Sequence, residues 1–336
     1  MNQNTKERSM RIHKLFPLIV GIAMTCATFA DAQVPPSTTF SDFTIPAANG
    51  KGSTPTGINK WGSVVGYYPT TAGYDSFVWN GAVTTVRVPG QVRTYAQSIN
   101  SAGWIVGYYG TSQIHGFLRN PKYTTLDVPG SGNQTYATSI NDSGQVAGVY
   151  FDASGVEHGF ILDGLGNYTT IDVEGGILVT NAILSQNGEV AGTYEDARYI
   201  PHGYVRDTLG NVTSFDVVSG GGTYVSGINA SGQIAGVAGP AFVRDASGNI
   251  TTFNVAGLNA GDVIGIADNG TVYGRSRTRT GVAGQGWEHT TAGAFNYFED
   301  PNAGSKGSEP SCVSGNAKVA GFYWDGQNNL IDFEMH

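Results

Sequence analysis

A pair of glycines four residues apart recurs along this chain at intervals of roughly 42 residues, and it limits the fold more than any other feature. Around each pair stand four short segments that alternate in hydrophobicity or are rich in β-branched residues, with Gly, Asn and Asp clusters between them. This pattern predicts four antiparallel strands per repeat, here strands a to d, as in the blades of a β-propeller. The pairs are Gly62/Gly66, Gly103/Gly107, Gly144/Gly148, Gly188/Gly192, Gly232/Gly236, Gly270/Gly274 and a seventh copy in which alanine replaces the first glycine, Ala317/Gly321.

The fourth strand of the repeat predicts how the two ends of the chain meet. The last repeat ends at His336 without a strand d, whereas residues 41–47 match strand d in pattern. We therefore predict an all-β fold, a seven-bladed β-propeller of four-stranded antiparallel blades, closed by the N-terminal strand pairing into the last blade. A sheet solenoid or an irregular sandwich is the alternative, but a solenoid needs capping repeats at both ends. Strand d itself occurs at Thr84–Val88, at 296–300, and in copies ending at Val128, Val173, Val217 and Val255.

Residues 1–32 have the features of a secretory signal peptide. A basic stretch precedes an apolar run over 15–30, and Ala30-Asp31-Ala32 offers small residues for cleavage before Gln33. The alternative is a retained anchor helix, which Pro17 and the short run disfavour. We expect a mature chain of residues 33–336 that forms a single propeller domain, has no membrane span, and is secreted or periplasmic in a bacterium.

Cysteine content and net charge limit which cellular compartment and which classes of partner we expect. Cys312 is the only cysteine after residue 32, so the mature chain can form no internal disulfide, which fits a bacterial periplasm or medium. The chain has a net charge of −8, which falls to −10 without the signal segment. This balance argues against nucleic acid and anionic membranes as partners.

The repeat resembles a known family through the order of its motifs. The unit Ile-Asn-x-x-Gly-x-Val-x-Gly is followed by His-Gly-aromatic at His115, His158 and His202. It is similar over residues 41–336 to the HAF repeat of bacterial extracellular proteins, named for His-Ala-Phe at this place. The resemblance implies a secreted protein and no particular activity. This chain departs from the pattern, since Gly replaces Ala and the other four repeats have Asp75, Pro240, Gln285 and Ile331 in place of His.

Catalytic and metal-binding motifs are not recognisable in the sequence. There is no nucleophile elbow, phosphate loop, His-Glu-x-x-His or paired-Cys motif, and we expect no cofactor and no metal. The three histidines lie on strand c, too far from the propeller axis to share one ion, and a structural role is favoured. The recurring Asn-x-x-Gly segments and the Asp-containing segments that resemble calcium loops are interpreted as turns.

The best place for a ligand is the mouth of the predicted channel. If strand a is innermost, its first residue lies at that mouth in every blade, and several of these residues are suited to binding. Tyrosines stack on sugars or cations, and two carboxylates in adjacent blades can bind polar groups or act as acid and base. The candidate ligand-binding residues are Tyr95, Tyr136, Tyr224, Asp262 and Glu309.

Three functions remain open at this point. The first is a secreted, non-enzymatic module that binds a glycan or an extracellular protein through its loop-rich face. The second is a carbohydrate-active hydrolase or lyase that uses Asp262 and Glu309. The third is a structural component of the envelope or matrix, for which we expect a flat, polar loop face without a pocket. Fold alone does not choose among them, because propellers carry unrelated activities.

Overall fold

The computed structural model describes residues 38–49, 51–255, 262–276 and 284–336. The predicted signal peptide, residues 1–32, lies outside the described residues. Within these ranges the chain is all-β, with one 3-10 turn at Pro46–Ala48 as its only helical segment. None of the described segments is a helix with the length and apolar character that a bilayer crossing requires.

Twenty-eight strands are seen in the described ranges. The first nine are β1 (Phe40–Phe43), β2 (Thr54–Ile58), β3 (Val64–Pro69), β4 (Tyr74–Trp79), β5 (Val83–Val86), β6 (Thr94–Ile99), β7 (Ile105–Gly110), β8 (Ile114–Asn120) and β9 (Lys122–Leu126). The next nine are β10 (Ser131–Ile140), β11 (Val146–Asp152), β12 (Glu157–Leu162), β13 (Tyr168–Ile171), β14 (Gly176–Leu184), β15 (Val190–Asp196), β16 (Pro201–Arg206), β17 (Val212–Phe215) and β18 (Tyr224–Ile228). The last ten are β19 (Ile234–Val237), β20 (Ala241–Arg244), β21 (Ile250–Phe253), β22 (Asp262–Ile266), β23 (Val272–Ser276), β24 (Gln285–His289), β25 (Phe295–Phe298), β26 (Ser308–Val313), β27 (Val319–Trp324) and β28 (Leu330–Met335).

The described strands pair in antiparallel groups of four, and most groups consist of four strands that are consecutive in sequence. Four sheets are simple meanders: β2 to β5, β14 to β17, β18 to β21, and β22 to β25. A larger sheet contains β6 to β13 and divides into two groups of four, which are joined only by the parallel pair Gln134 and Ile114. The remaining sheet has the order β1-β28-β27-β26, so its outer strand comes from the amino end of the chain.

The pairing of β1 with β28 is antiparallel and regular. Phe40 lies opposite Met335, and Asp42 lies opposite Phe333. Thr39 and His336 exchange two backbone hydrogen bonds, of 2.9 and 3.1 Å. Residues 41–43 therefore lie where the sequence predicted a strand d for the last repeat.

A buried aromatic residue in strand c explains the second glycine of each pair. In register, Gly66 lies opposite Phe77 on the next strand, and a Cβ on Gly66 would lie 2.8 Å from the Phe77 ring. The ring thus packs against the bare backbone of its own sheet, a contact that the sequence pattern did not reveal. The prediction that these aromatics are core residues is confirmed. All seven are fully buried: Phe77, Phe117, Phe160, Tyr204, Phe242, Trp287 and Phe333.

The asparagine before the first glycine shapes the a–b turn and also contacts the next sheet. Oδ1 of Asn59 accepts hydrogen bonds from the backbone N–H groups of Trp61 and Ser63, both at 3.0 Å. Gly62 has a φ of +89°, which favours glycine there. Nδ2 of Asn59 donates to the carbonyl oxygen of Asn100 in the following sheet at 3.0 Å. The same bond runs from Asn100 to Asn141 and from Asn141 to Ser185.

Further hydrogen bonds link the a–b turns of successive sheets. They include Ser101 N to Asp142 Oδ1 (2.8 Å), Asp142 N to Gln186 Oε1 (2.9 Å), Ala230 N to Asp268 Oδ1 (2.9 Å), Asp268 N to Gly315 O (2.7 Å) and Asn316 Nδ2 to Lys60 O (2.9 Å). The last of these joins the sheet at the carboxyl end of the chain to the first complete sheet. We call this side of the molecule the turn face.

Candidate functional site

Strand a of each four-stranded group lines a common cavity. This cavity has a volume of about 370 Å³ and is bordered by residues of β2, β6, β10, β14, β18, β22 and β26. Much of its wall is polar, but those side chains bond to neighbouring backbone. Oγ1 of Thr56 donates to the carbonyl oxygen of Ala96 at 2.8 Å, and Nδ2 of Asn181 donates to that of Val225 at 3.0 Å. The wall agrees with the prediction that strand a is innermost, and its polar groups serve mainly to join adjacent strands.

A continuous arc of tyrosines lies at the end of the strands opposite the turn face. Tyr95 stands at the start of β6, and its ring centroid is 5.2 Å from that of Tyr67 and 5.0 Å from that of Tyr108. Tyr108 is in turn 5.0 Å from Tyr136. We call this set the tyrosine arc: Tyr67, Tyr74, Tyr95, Tyr108 and Tyr136, ending against Phe151 at 6.2 Å.

The tyrosine arc is held in place by the register of strands a and b. Tyr95 lies opposite Tyr108 across β6 and β7, so the two rings share one face and stack. All five tyrosines are half-buried, which leaves part of each ring accessible to a ligand. Burial raises the pKa of Tyr95, Tyr108 and Tyr136, so these phenols stay neutral and can both donate and accept hydrogen bonds.

Two glutamates that sequence reasoning missed lie beside the arc. Glu157 begins β12 and lies opposite Phe151, the ring that ends the arc. Burial and then the nearby charge of Glu195 raise the pKa of Glu157 to about 7. Burial also raises the pKa of Glu195, and Glu157 in turn raises that of Tyr136. The signal available in the sequence was their place at the b–c hairpin, which lies at the same end of the sheet as the start of strand a.

The predicted site residues do not all come together. Tyr95 and Tyr136 belong to the tyrosine arc. Tyr224 begins β18, is 56% exposed and lies outside the arc, opposite Val237 in register. The described ring contacts of the arc run from Tyr74 to Phe151, so it spans three of the four-stranded groups and stops there.

Asp262 and Glu309 lie on adjacent sheets, as predicted, with an arginine between those sheets. Nε of Arg275 donates to Oδ2 of Asp262 at 3.3 Å. Nη1 of the same arginine donates to the carbonyl oxygen of Pro310, next to Glu309, at 3.2 Å. Glu309 is only 9% exposed. The arrangement engages Asp262 in an ion pair and buries Glu309, which suits a structural role better than acid and base chemistry.

Each of the three strand-c histidines forms a hydrogen bond with an aspartate of the adjacent strand d. Nδ1 of His158 lies 2.6 Å from Oδ1 of Asp172 on strand d, and the imidazole stacks on Tyr150 with centroids 5.1 Å apart. His115 and His202 make the same contacts with Asp127 and Asp216. In the first repeat the pair is instead Asp75 with Arg87. Over the ranges that the structure describes, no three His, Cys, Asp or Glu side chains are grouped as a metal site requires.

Comparison with known proteins informs the fold and leaves the activity open. No family model matches the sequence, and no curated protein matches it. Solved structures do match. YCF48, determined bound to D1 peptide, has a TM-score of 0.55 at 13% identity, covering 90% of this chain and 99% of that chain. Puromycin hydrolase has a TM-score of 0.54 at 11% identity, covering 83% of this chain and 51% of that chain.

A weaker match is TolB from Acinetobacter baumannii, with a TM-score of 0.47 at 15% identity over 69% of this chain and 62% of that chain. The chain thus spans about half of puromycin hydrolase and less than two thirds of TolB. At these identities the likeness concerns the fold alone. YCF48 is a β-propeller protein matched along nearly its whole length, and with the succession of four-stranded antiparallel sheets it shows that this chain has a β-propeller fold.

Proposed function

We propose that the propeller has seven blades and is closed by β1, which completes the last blade. Seven groups of four strands follow from the sheet orders, once the larger sheet is divided at its single parallel pair. The turn-face hydrogen bonds support closure, because the bond from Asn316 to Lys60 joins the last group to the first. Packing supports it as well. Gly62 of the first group lies against Lys318 of the last, as Gly144 lies against Trp104 of the preceding group. We also propose that these blades are HAF repeats.

We infer that the protein is an exported bacterial binding module, without enzymatic activity, that holds a glycan or an extracellular protein segment across the tyrosine arc. The observation that carries this inference is the continuity of the arc. Five accessible rings over three blades form a platform far longer than a single small molecule needs, and aromatic side chains dominate the energetics of such surfaces. That YCF48 was determined with a peptide supports a peptide ligand for a propeller of this shape.

Charge further limits the ligand. The arc ends beside Glu157 and Glu195, and the whole chain is acidic, with a net charge of −8. A strongly anionic polymer is therefore disfavoured, whereas hydroxyl-rich or cationic ligands are favoured.

The first test is a glycan array together with capture of extracellular peptides, followed by measurement of Kd for each ligand found. We expect Tyr95→Ala to weaken binding about tenfold or more, because it removes the central ring of the arc. Tyr224→Ala is the matched control, since this tyrosine occupies the same repeat position but lies outside the arc. An empty array and an empty capture, or equal effects of the two substitutions, would contradict the proposal.

A carbohydrate-active hydrolase or lyase is the second candidate, and one observation favours it. A carboxyl group with a pKa near 7, beside a second carboxylate and an aromatic platform, is a feature of general acid catalysts. Mass spectrometry of the bound ligand separates the two functions. Recovery of the intact ligand after long incubation supports binding alone, and cleavage that Glu157→Gln abolishes supports the enzyme.

A further inference from the structure

A second cavity lies on the turn face, between the sheet that holds the carboxyl terminus and the sheet β2 to β5. Its volume is about 420 Å³, within the usual range of about 300–1,000 Å³ for ligand sites. It is at the opposite end of the strands from the tyrosine arc, because Trp61 belongs to the a–b turn whereas Tyr67 lies near the far end of β3. We call it the seam cavity and define it by Trp61, Trp79, Asn80, Lys318, Glu334 and His336.

The aromatic walls of the seam cavity are fixed in orientation. Trp61 is 69% exposed, yet its Nε1 donates a 3.0 Å hydrogen bond to the carbonyl oxygen of Ser101, which holds the indole at the rim. Trp79 stacks on Phe43 with centroids 4.6 Å apart and an angle of 9° between the planes. A large exposed indole that is held in one position loses little conformational entropy when a ligand packs on it.

The floor of the seam cavity is formed by hydrogen-bonded polar side chains, among which the opposite charges of Lys318 and Glu334 neutralise each other. Glu334 is 3% exposed, and its Oε1 accepts a 2.8 Å hydrogen bond from Nζ of Lys318. Its Oε2 lies 3.1 Å from Nδ1 of His336. Each carboxylate oxygen has a second lone pair, and an ammonium group has three donors, so the network has capacity for a further ligand. The mutual neutralisation of Lys318 and Glu334 disfavours a ligand with a net charge.

We propose that the seam cavity binds a neutral pyranose, either as a monosaccharide or as the end of a longer glycan. An indole face packs well against the C–H face of a sugar ring. A carboxylate beside an ammonium and the Asn80 amide offers the alternating acceptors and donors that vicinal hydroxyls require. This site is independent of the tyrosine arc and does not rest on the proposed function.

The test uses the whole protein and five probes: D-glucose, D-galactose, D-mannose, L-fucose and N-acetyl-D-glucosamine. Saturation-transfer NMR detects binding of each, and tryptophan fluorescence gives its Kd. We expect saturable binding of at least one probe, weakened about tenfold or more by Trp61→Ala. Trp61 is at the tip of an exposed turn, so this substitution leaves the core intact, which the thermal melting curve verifies.

Two further variants make the result decisive. Trp61→Phe keeps an aromatic face but loses the hydrogen bond to Ser101, and it should bind with intermediate affinity. Leu209→Ala removes an exposed apolar side chain in the turn between β16 and β17, outside both the seam cavity and the tyrosine arc, and it should leave binding of the monosaccharides unchanged. Absence of binding by all five sugars, binding that is unaffected by Trp61→Ala, or binding that Leu209→Ala weakens as much as Trp61→Ala does would overturn the proposal.

Discussion

At the scale of single residues, one buried carboxyl group departs from the repeat and carries a pH dependence. Asp332 precedes the aromatic anchor of the last repeat, where the other six copies have a small residue. Its side chain is 1% exposed and accepts a hydrogen bond from Ser53, and its Oδ1 has no partner in the described structure. Burial raises its pKa from the ordinary value of 3.8 to about 7. The folded protein therefore favours the neutral acid.

The sign of the resulting pH dependence follows from the direction of this shift. Because the pKa is higher in the folded state than in the unfolded one, the stabilisation is fully present below about pH 4 and is lost as the pH rises to about 7. The difference corresponds to at most roughly 4 kcal/mol. Between pH 4 and pH 8, the unfolding free energy of Asp332→Asn should thus rise relative to that of the unmodified protein, as measured by urea denaturation.

Asp325→Asn serves as the control for this prediction. Hydrogen bonds from the side chain and backbone of Asn329 lower the pKa of Asp325, so its contribution is fully present above about pH 4, and its substitution should leave the shape of the profile between pH 4 and pH 8 unchanged. Parallel pH profiles for Asp332→Asn and the unmodified protein would contradict the assignment.

At the scale of elements, the a–b turn is both a local structure and a link between sheets. Asn100 is 2% exposed, and its Oδ1 accepts hydrogen bonds from the backbone of Ala102 and Trp104. Its Nδ2 donates to the carbonyl oxygen of Asn141 in the next four-stranded group. One side chain thereby bonds three backbone groups, one of them on the neighbouring group of strands, which makes the turn a point of attachment for its neighbour.

We predict that Asn100→Ala destabilises the protein by about 2–3 kcal/mol, because it leaves these groups unpaired. Asn100→Asp keeps the acceptor but loses the donor, and it places a carboxylate against the Asn141 carbonyl. It should be no better than alanine. Asn167→Ala, in an exposed turn where the amide bonds only Asp163, should cost less than about 1 kcal/mol in the same chemical denaturation experiment. Equal losses of unfolding free energy at the two positions would show that the hydrogen bond between groups of strands adds nothing to stability.

Local structure was largely predictable at this scale, because it depends on short-range patterns. The turns follow from Asn-x-x-Gly and the strands from alternation, and Phe77 and its equivalents were correctly assigned to the core. The Nδ2 bond of Asn59 to the next repeat was not predictable, since its partner lies 41 positions away. The glycine that faces each ring was likewise visible only once the register was known.

The candidate site was predictable only in part, for a related reason. Repeat position selected Tyr95 and Tyr136, and both belong to the tyrosine arc. The same rule also selected Tyr224, but the arc ends at Phe151, on an earlier strand, and Tyr224 lies outside it. Tyr108 and Glu157 were missed because they belong to strands b and c, whose ends reach the same mouth only in three dimensions.

At the scale of the whole molecule, the pairing of β1 with β28 is the main support for the proposed closure of the propeller. Thr39 and His336 form a hydrogen-bonded pair, so Phe40 and Met335 form the adjacent non-hydrogen-bonded pair, in which side chains approach most closely. That geometry suits a disulfide.

We predict that a variant with Phe40→Cys, Met335→Cys and Cys312→Ser forms an intramolecular disulfide under mild oxidation. The crosslink closes a loop of nearly the entire chain and should stabilise the protein by up to about 4 kcal/mol relative to its reduced form. Non-reducing electrophoresis detects the crosslink, and thermal unfolding measures its effect. A matched pair, Phe40→Cys with Leu165→Cys in the same background, should remain reduced. Failure of the first pair to crosslink would refute closure through β1.

The pairing of β1 also dictates when folding can finish. Its partner β28 follows every other described strand along the chain, and Thr39 and His336 are 297 positions apart. The other described sheets are built from strands that are close in sequence and can assemble as they emerge, but β1 keeps an unpaired edge until β28 has been made. The sheet with the order β1-β28-β27-β26 is therefore expected to form after the other described sheets.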